Sequence, residues 1–137
     1  SLKRVPFIGW NMVLDKTIFI SRTDPKSQLE MMRKCEYNLE IGNSIMIFPE
    51  GTRYRGKEIG EFLSGGFLLA KKKQVSVLPI AISYSHDTVI EGFTFKHKTK
   101  IIVEILKPIA FDQYKKTKDL RDAVKAQIEE AVNSTFV

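Results

Sequence analysis

Apolar residues along the chain fall into short runs at two spacings, one helical and one alternating. Residues 5–14 (VPFIGWNMVL) are densely apolar but carry Pro6 and Gly9, which suits a short helix or an irregular packed segment. Thr17–Ile20 combines β-branched and aromatic residues and predicts a short strand. The stretch Ser21-Arg22-Thr23-Asp24-Pro25 then announces a helix, with Thr23 or Asp24 as cap and Pro25 at the first helical position. Leu29, Met32, Cys35 (or Glu36) and Leu39 follow at helical spacing, and Gly42 is the expected stop. Ile45–Phe48 reads as a buried strand, and residues 49–61 as a loop containing Gly51, Gly56 and Gly60.

In the second half, Ser64-Gly65-Gly66 opens a short helix from Phe67 to Lys73. Its last turn holds Lys71, Lys72 and Lys73, where cations match the helix dipole; a lipid-headgroup patch is the alternative. Val75–Ser83 is a strand with Pro79 inside it, hence bulged or near an edge. Val89–Phe95 and Lys100–Leu106 alternate well enough to be two more strands. A final helix starts at Thr117 or Asp119, with Leu120, Val124, Ile128 and Val132 along one face. Strands separated by helices predict an α/β fold with a mixed, largely parallel sheet flanked by helices. There is no internal repeat and no low-complexity linker.

Composition narrows the function classes only a little. The length of 137 residues fits a single domain, and a 43% apolar share permits a true core. A net charge of +6 favours anionic partners: phosphate, an acidic lipid surface or nucleic acid. Neither zinc-ligand spacing nor the aromatic strand motif of RNA-binding sheets is present, which argues against nucleic acid. Cys35 is the only cysteine, so no disulfide within the chain and no thiolate metal cluster can form. No apolar run approaches the ~20 residues of a spanning helix.

The chemistry concentrates where Ile45–Phe48 ends, because ligands of α/β sheets sit at the carboxyl ends of strands. Arg53 offers a planar fork of donors suited to bidentate binding of phosphate. Gly51 lets the backbone turn tightly and approach a ligand, and Thr52 adds a hydroxyl. Glu50 is the odd member, since a carboxylate repels phosphate. It holds an arginine in place, bonds a substrate hydroxyl, or forms a salt bridge that merely pins the loop. Arg22 ends the Thr17–Ile20 strand in the same fashion, so two arginines could converge on one anion.

FPEGTR (48–53) resembles a signature of the glycerolipid acyltransferases, the family of lysophosphatidic acid (1-acyl-sn-glycerol-3-phosphate) acyltransferases. KRVPFIGW (3–10), TIFISR (17–22), EFLSGGFLLA (61–70) and VLPIAI (77–82) resemble further family segments in the same order. The family usually has an Asp where Ser21 stands, and often a basic pair where Leu63 and Ser64 stand. The resemblance implies transfer of a fatty acyl group from a thioester, acyl-CoA or acyl carrier protein, to the free hydroxyl of a lysophospholipid. It implies no bound cofactor and no metal. It assigns Arg22, Glu50, Gly51, Thr52 and Arg53 to the acceptor phosphate, and Pro79 to the acyl-site wall. Phe7, Ile8 and Trp10, beside Lys3 and Arg4, become an interfacial anchor on an anionic membrane, with core packing as the alternative. The expected location is membrane-associated, on the cytoplasmic face.

The family's first motif, NHxxxxD, supplies a His that takes the acceptor's proton and an Asp that orients it. Neither histidine here fits. His97 is followed five positions on by Ile102, and His86 by Glu91 in a stretch that reads as an inter-strand loop turned by Asp87. The expectation is therefore a single acyltransferase-like domain over residues 1–137, N-terminally incomplete and part of a longer catalytic domain. It has no catalytic residues of its own and is inactive alone. A non-catalytic module that binds lysophospholipid is the alternative.

Overall fold

The computed structural model describes residues 25–51, 59–83, 89–90, 94–95 and 101–134. The chain forms two compact units, residues 1–45 and 46–137. In the first, helix α1 runs from Pro25 to Glu40, as its capping signals predict. Its end is a Schellman motif. The Asn43 N–H donates to the Asn38 carbonyl (2.9 Å) and the Gly42 N–H to the Leu39 carbonyl (3.1 Å). Gly42 takes φ +83°, the left-handed geometry that glycine tolerates best. Cys35 is buried, which pushes its thiol pKa up.

The second unit is built on two further helices, α2 (Gly65–Lys73) and α3 (Thr117–Ser134). Between them lie strands β1 (Ile80–Ser83), β2 (Val89–Ile90), β3 (Thr94–Phe95) and β4 (Ile102–Ile105). The α3 stripe that the spacing predicts is buried at Leu120, which is 0% exposed, and at Val124, half-buried at Ile128 and Val132, and joined by the buried Ala131, which lies outside it. Leu120 and Val124 join Phe62, Phe67 and Ile109 in one core, with Val77, Tyr114 and Ile128 packed around it. The Phe62 and Phe67 rings stack at 6.3 Å between centroids and 13° between planes.

β1 and β4 pair antiparallel, Ile80 opposite Ile105 and Ser83 opposite Ile102. Pro79 explains where this ladder breaks. Its carbonyl accepts from the Leu106 N–H (3.0 Å), but proline has no N–H to return the bond. Pairing resumes at Val77 and Ile109, which exchange both bonds. One extra residue is thus inserted on the 106–109 side, so the bulge lies on the strand opposite Pro79 and not within the Val75–Ser83 run. The odd-numbered face of β1, carrying Ala81 and Ser83, is buried, and α3 packs against this strand. On the other face Ile80 and Ile82 line up with Ile105 and Val103, which are 68% and 60% exposed.

Two expectations need correction. The alternating segment Val89–Phe95 is not one strand. It folds back on itself, Val89 pairing with Phe95 and Ile90 with Thr94, across a stretch that contains Gly92. Ile45–Phe48 is not a buried strand either. A strand needs a ladder partner, and this run makes no strand pairing with any of the described residues. Met46 (65%) and Phe48 (68%) are largely exposed. The described elements run in the order α1, α2, β1, β2, β3, β4, α3, and both ladders among them are antiparallel. No described helix is long and apolar enough to cross a membrane.

Candidate functional site

The stretch after Phe48 turns sharply. The Gly51 N–H donates to the Phe48 carbonyl at 3.1 Å, closing a β-turn with Pro49 and Glu50 at its centre. Proline suits that second position because its ring fixes φ near −65°. Gly51 leaves the turn at φ +64°. A Cβ built on it would run into Leu63 Cδ1, so both backbone angle and space favour glycine here.

Two longer ties hold this turn. The Leu63 N–H donates to the Pro49 carbonyl at 2.8 Å, and the Gly60 N–H donates to Glu50 Oε2 at 3.0 Å. Together they bring residues 49–51 beside residues 60–63. Glu50 is thus bonded to a backbone amide, where the sequence alternatives named an arginine or a substrate hydroxyl. A backbone donor ten residues away has no side-chain signature, and pattern reading had no means of finding it.

The far side of the stem is tied to α3. Lys125 Nζ contacts Glu61 Oε1 at 3.3 Å and Glu129 Oε1 at 3.7 Å. Burial works against its charge, but the two carboxylates outweigh burial and hold the ammonium pKa above the usual lysine range. Arg121 Nη1 reaches Ser64 Oγ at 3.4 Å and pairs with Asp122 at 2.7 Å. Ser64 makes no side-chain cap bond to α2. Within α2, Lys71 turns away from a surface role. Its ammonium donates to the carbonyls of Phe111 (3.3 Å) and Tyr114, fixing the segment before α3. Gly66 lies under Ile47, whose Cδ1 would stand 3.0 Å from an added Cβ.

Of the residues singled out in the sequence, Glu50 and Gly51 meet in this turn. Pro79 is buried and immediately precedes β1. Arg22, Thr52, Arg53, Phe7, Ile8, Trp10, His86 and His97 lie outside the described residues. No group of three or more metal-ligating side chains is present among the described residues.

Comparison with known proteins places this turn in context. Residues 1–83 match the family model described as Acyltransferase. A Saccharomyces cerevisiae relative, 1-acyl-sn-glycerol-3-phosphate acyltransferase, is 32% identical over 86% of this chain and 40% of its own length. A Pseudomonas aeruginosa protein of the same name is 44% identical over 56% of this chain and 30% of its own. The fold is similar to the crystal structure of the 1-acyl-sn-glycerophosphate (LPA) acyltransferase PlsC from Thermotoga maritima, with a TM-score of 0.82 and 24% identity. That match covers 99% of this chain and 54% of PlsC. The chain thus spans no more than about half the length of these relatives.

Proposed function

The chain belongs to the acyltransferase family, and from that premise we propose that it holds the acceptor of a glycerolipid O-acyltransferase reaction. In that reaction the free hydroxyl of a lysophospholipid such as lysophosphatidic acid attacks the carbonyl of an acyl thioester. An ester forms, the carbon–sulfur bond breaks, and the thiol of coenzyme A or acyl carrier protein leaves. The observation that carries the reading is the tied turn at Phe48–Gly51. It sets a left-handed glycine two residues ahead of Arg53 and fastens both ends of the segment between. Arg53 grips the phosphate. Thr52 and the Gly51 backbone line its approach, and Pro79 shapes the strand beside the acyl site. Attack needs a base for the hydroxyl proton. The 137 residues contain no His followed at the fifth position by Asp, so they bind acceptor without turning it over. A second reading is a lysophospholipid-binding module that is not catalytic. The lipid acceptor and the +6 charge support residence at the cytoplasmic face of an anionic membrane.

The test is calorimetric titration of lysophosphatidic acid, below its micelle concentration, into the wild-type chain and Arg53→Ala. The reading expects saturable binding that weakens by about tenfold or more in the variant, the size of a lost charge-assisted pair. Equal binding by both proteins would overturn it.

A further inference from the structure

We infer that the second unit meets an anionic bilayer through one lysine-rich end, where Lys72 and Lys73 at the close of α2 come together with Lys115, Lys116 and Lys118 at the opening of α3; the choice of a lipid partner rests on the membrane residence proposed above. Contacts between the two segments run in opposite directions along the chain. Glu61 meets Lys125, Ser64 meets Arg121, and Lys71 donates to the carbonyls of Phe111 and Tyr114. The last turn of α2 therefore lies at the end where α3 begins. Lys71 is committed to that joint, while Lys72, Lys115, Lys116 and Lys118 are exposed and Lys73 is half-buried. Against these five lysines, residues 72–73 and 111–119 place two carboxylates, Asp112 and Asp119.

Helix stability accounts for part of the cluster only. Cations at the close of α2 match its dipole, but Lys116 and Lys118 flank the first residue of α3, where a cation opposes it. Leu68 stands one turn before Lys72 on the same face of α2 and is 55% exposed. Ammonium groups on flexible apolar stems, with an apolar side chain beside them, fit a bilayer surface, which presents anionic headgroups above acyl carbon. A nucleic acid offers the charge without an apolar layer to receive Leu68. Each lysine held near an anionic bilayer contributes about fivefold to partitioning, so a pair is enough to measure.

The test is co-sedimentation of the full chain, at near-physiological salt, with vesicles of phosphatidylcholine alone and of phosphatidylcholine with about one-third phosphatidylserine. Wild type is expected on the anionic vesicles and not on the neutral ones. Lys115→Gln with Lys116→Gln should weaken that partitioning by about tenfold or more, and Lys115→Arg with Lys116→Arg should keep it within about threefold. Removing two cations from α1 instead, by Arg33→Gln with Lys34→Gln, should also stay within about threefold. Leu68→Ser should weaken vesicle binding by about threefold or more and leave binding to a single-stranded oligonucleotide unchanged. All these positions are exposed, and each variant should keep the wild-type thermal midpoint.

Equal losses in the α3 and α1 pairs would overturn the inference, because binding would then follow net charge and not this surface. Vesicle binding unmoved by Lys115→Gln with Lys116→Gln would overturn it too, and would leave the membrane residence to another surface. Tighter binding to the oligonucleotide than to the vesicles, with the same dependence on Lys115 and Lys116, would assign the cluster to nucleic acid. If wild type binds neither kind of vesicle, the membrane residence itself fails and this surface falls with it.

Discussion

Two apolar stretches of the second unit, equally hydrophobic on paper, have opposite fates. The α3 stripe Leu120–Val124–Ile128 and the pair Phe62–Phe67 close a core in which Leu120 has no exposed surface. Met46-Ile47-Phe48 and the outer row Ile80, Ile82, Val103 and Ile105 present their side chains outward, Phe48 and Ile105 at 68%. The difference is who supplies the partner. The stripe on α3 meets residues from β1, α2 and the segment at Ile109, all within reach of one another through short connections. Among the described residues the outer row makes one face of a two-stranded ribbon, and a helix packs on the other face. Apolar patterning states that a surface favours company, and it leaves the partner unnamed.

The sharpest way to break the comparison is to truncate one side chain in each region. Leu120→Ala removes a fully buried side chain from a packed core and should cost about 2–5 kcal/mol in chemical denaturation of the second unit. Ile105→Thr on the outer row should shift it by less than about 0.5 kcal/mol, while reducing self-association in light scattering. Equal losses would mean that the outer row is also a core surface. A smaller effect is expected at the turn. Gly51→Ala must accept a left-handed backbone and displace Leu63, at about 1–2 kcal/mol, read as a lower denaturation midpoint.

The smallest effect compares two helix ends. α2 closes with the same paired bonds as α1, Val75 N–H to the Ala70 carbonyl (3.0 Å) and Gln74 N–H to the Lys71 carbonyl (3.3 Å). Yet the left-handed position is Gln74, at φ +55°, where α1 has Gly42. Gln74→Gly should therefore stabilise by about 1 kcal/mol, and Gly42→Gln should destabilise by a similar amount.

What the sequence disclosed follows the range of the forces involved. α1 and α3 were legible because capping, periodicity and the Gly42 stop act within a turn or two of the chain. The break in the ladder at Pro79 was legible because a missing N–H is a property of one residue, whereas the extra residue it faces sits on the opposite strand. The hairpin within Val89–Phe95 was hidden because alternation is the same whether a segment runs on or doubles back, and Gly92 was the one hint. Ile45–Phe48 misled because strand formation depends on a neighbour that no run of residues contains. At the site, the glycine and the turn could be read from Pro49-Glu50-Gly51. The tie from Glu50 to Gly60 could not, because its donor is main chain.

The central claim, an acceptor held without a base to activate it, is most directly tested by measuring thiol release from acyl-CoA in the presence of saturating lysophosphatidic acid. The 137-residue chain should bind the acceptor, with Arg53→Ala weakened, and release coenzyme A no faster than the protein-free control. Acceptor-dependent release that persists through purification and falls with Arg53→Ala would contradict it, and would require a general base among the residues present.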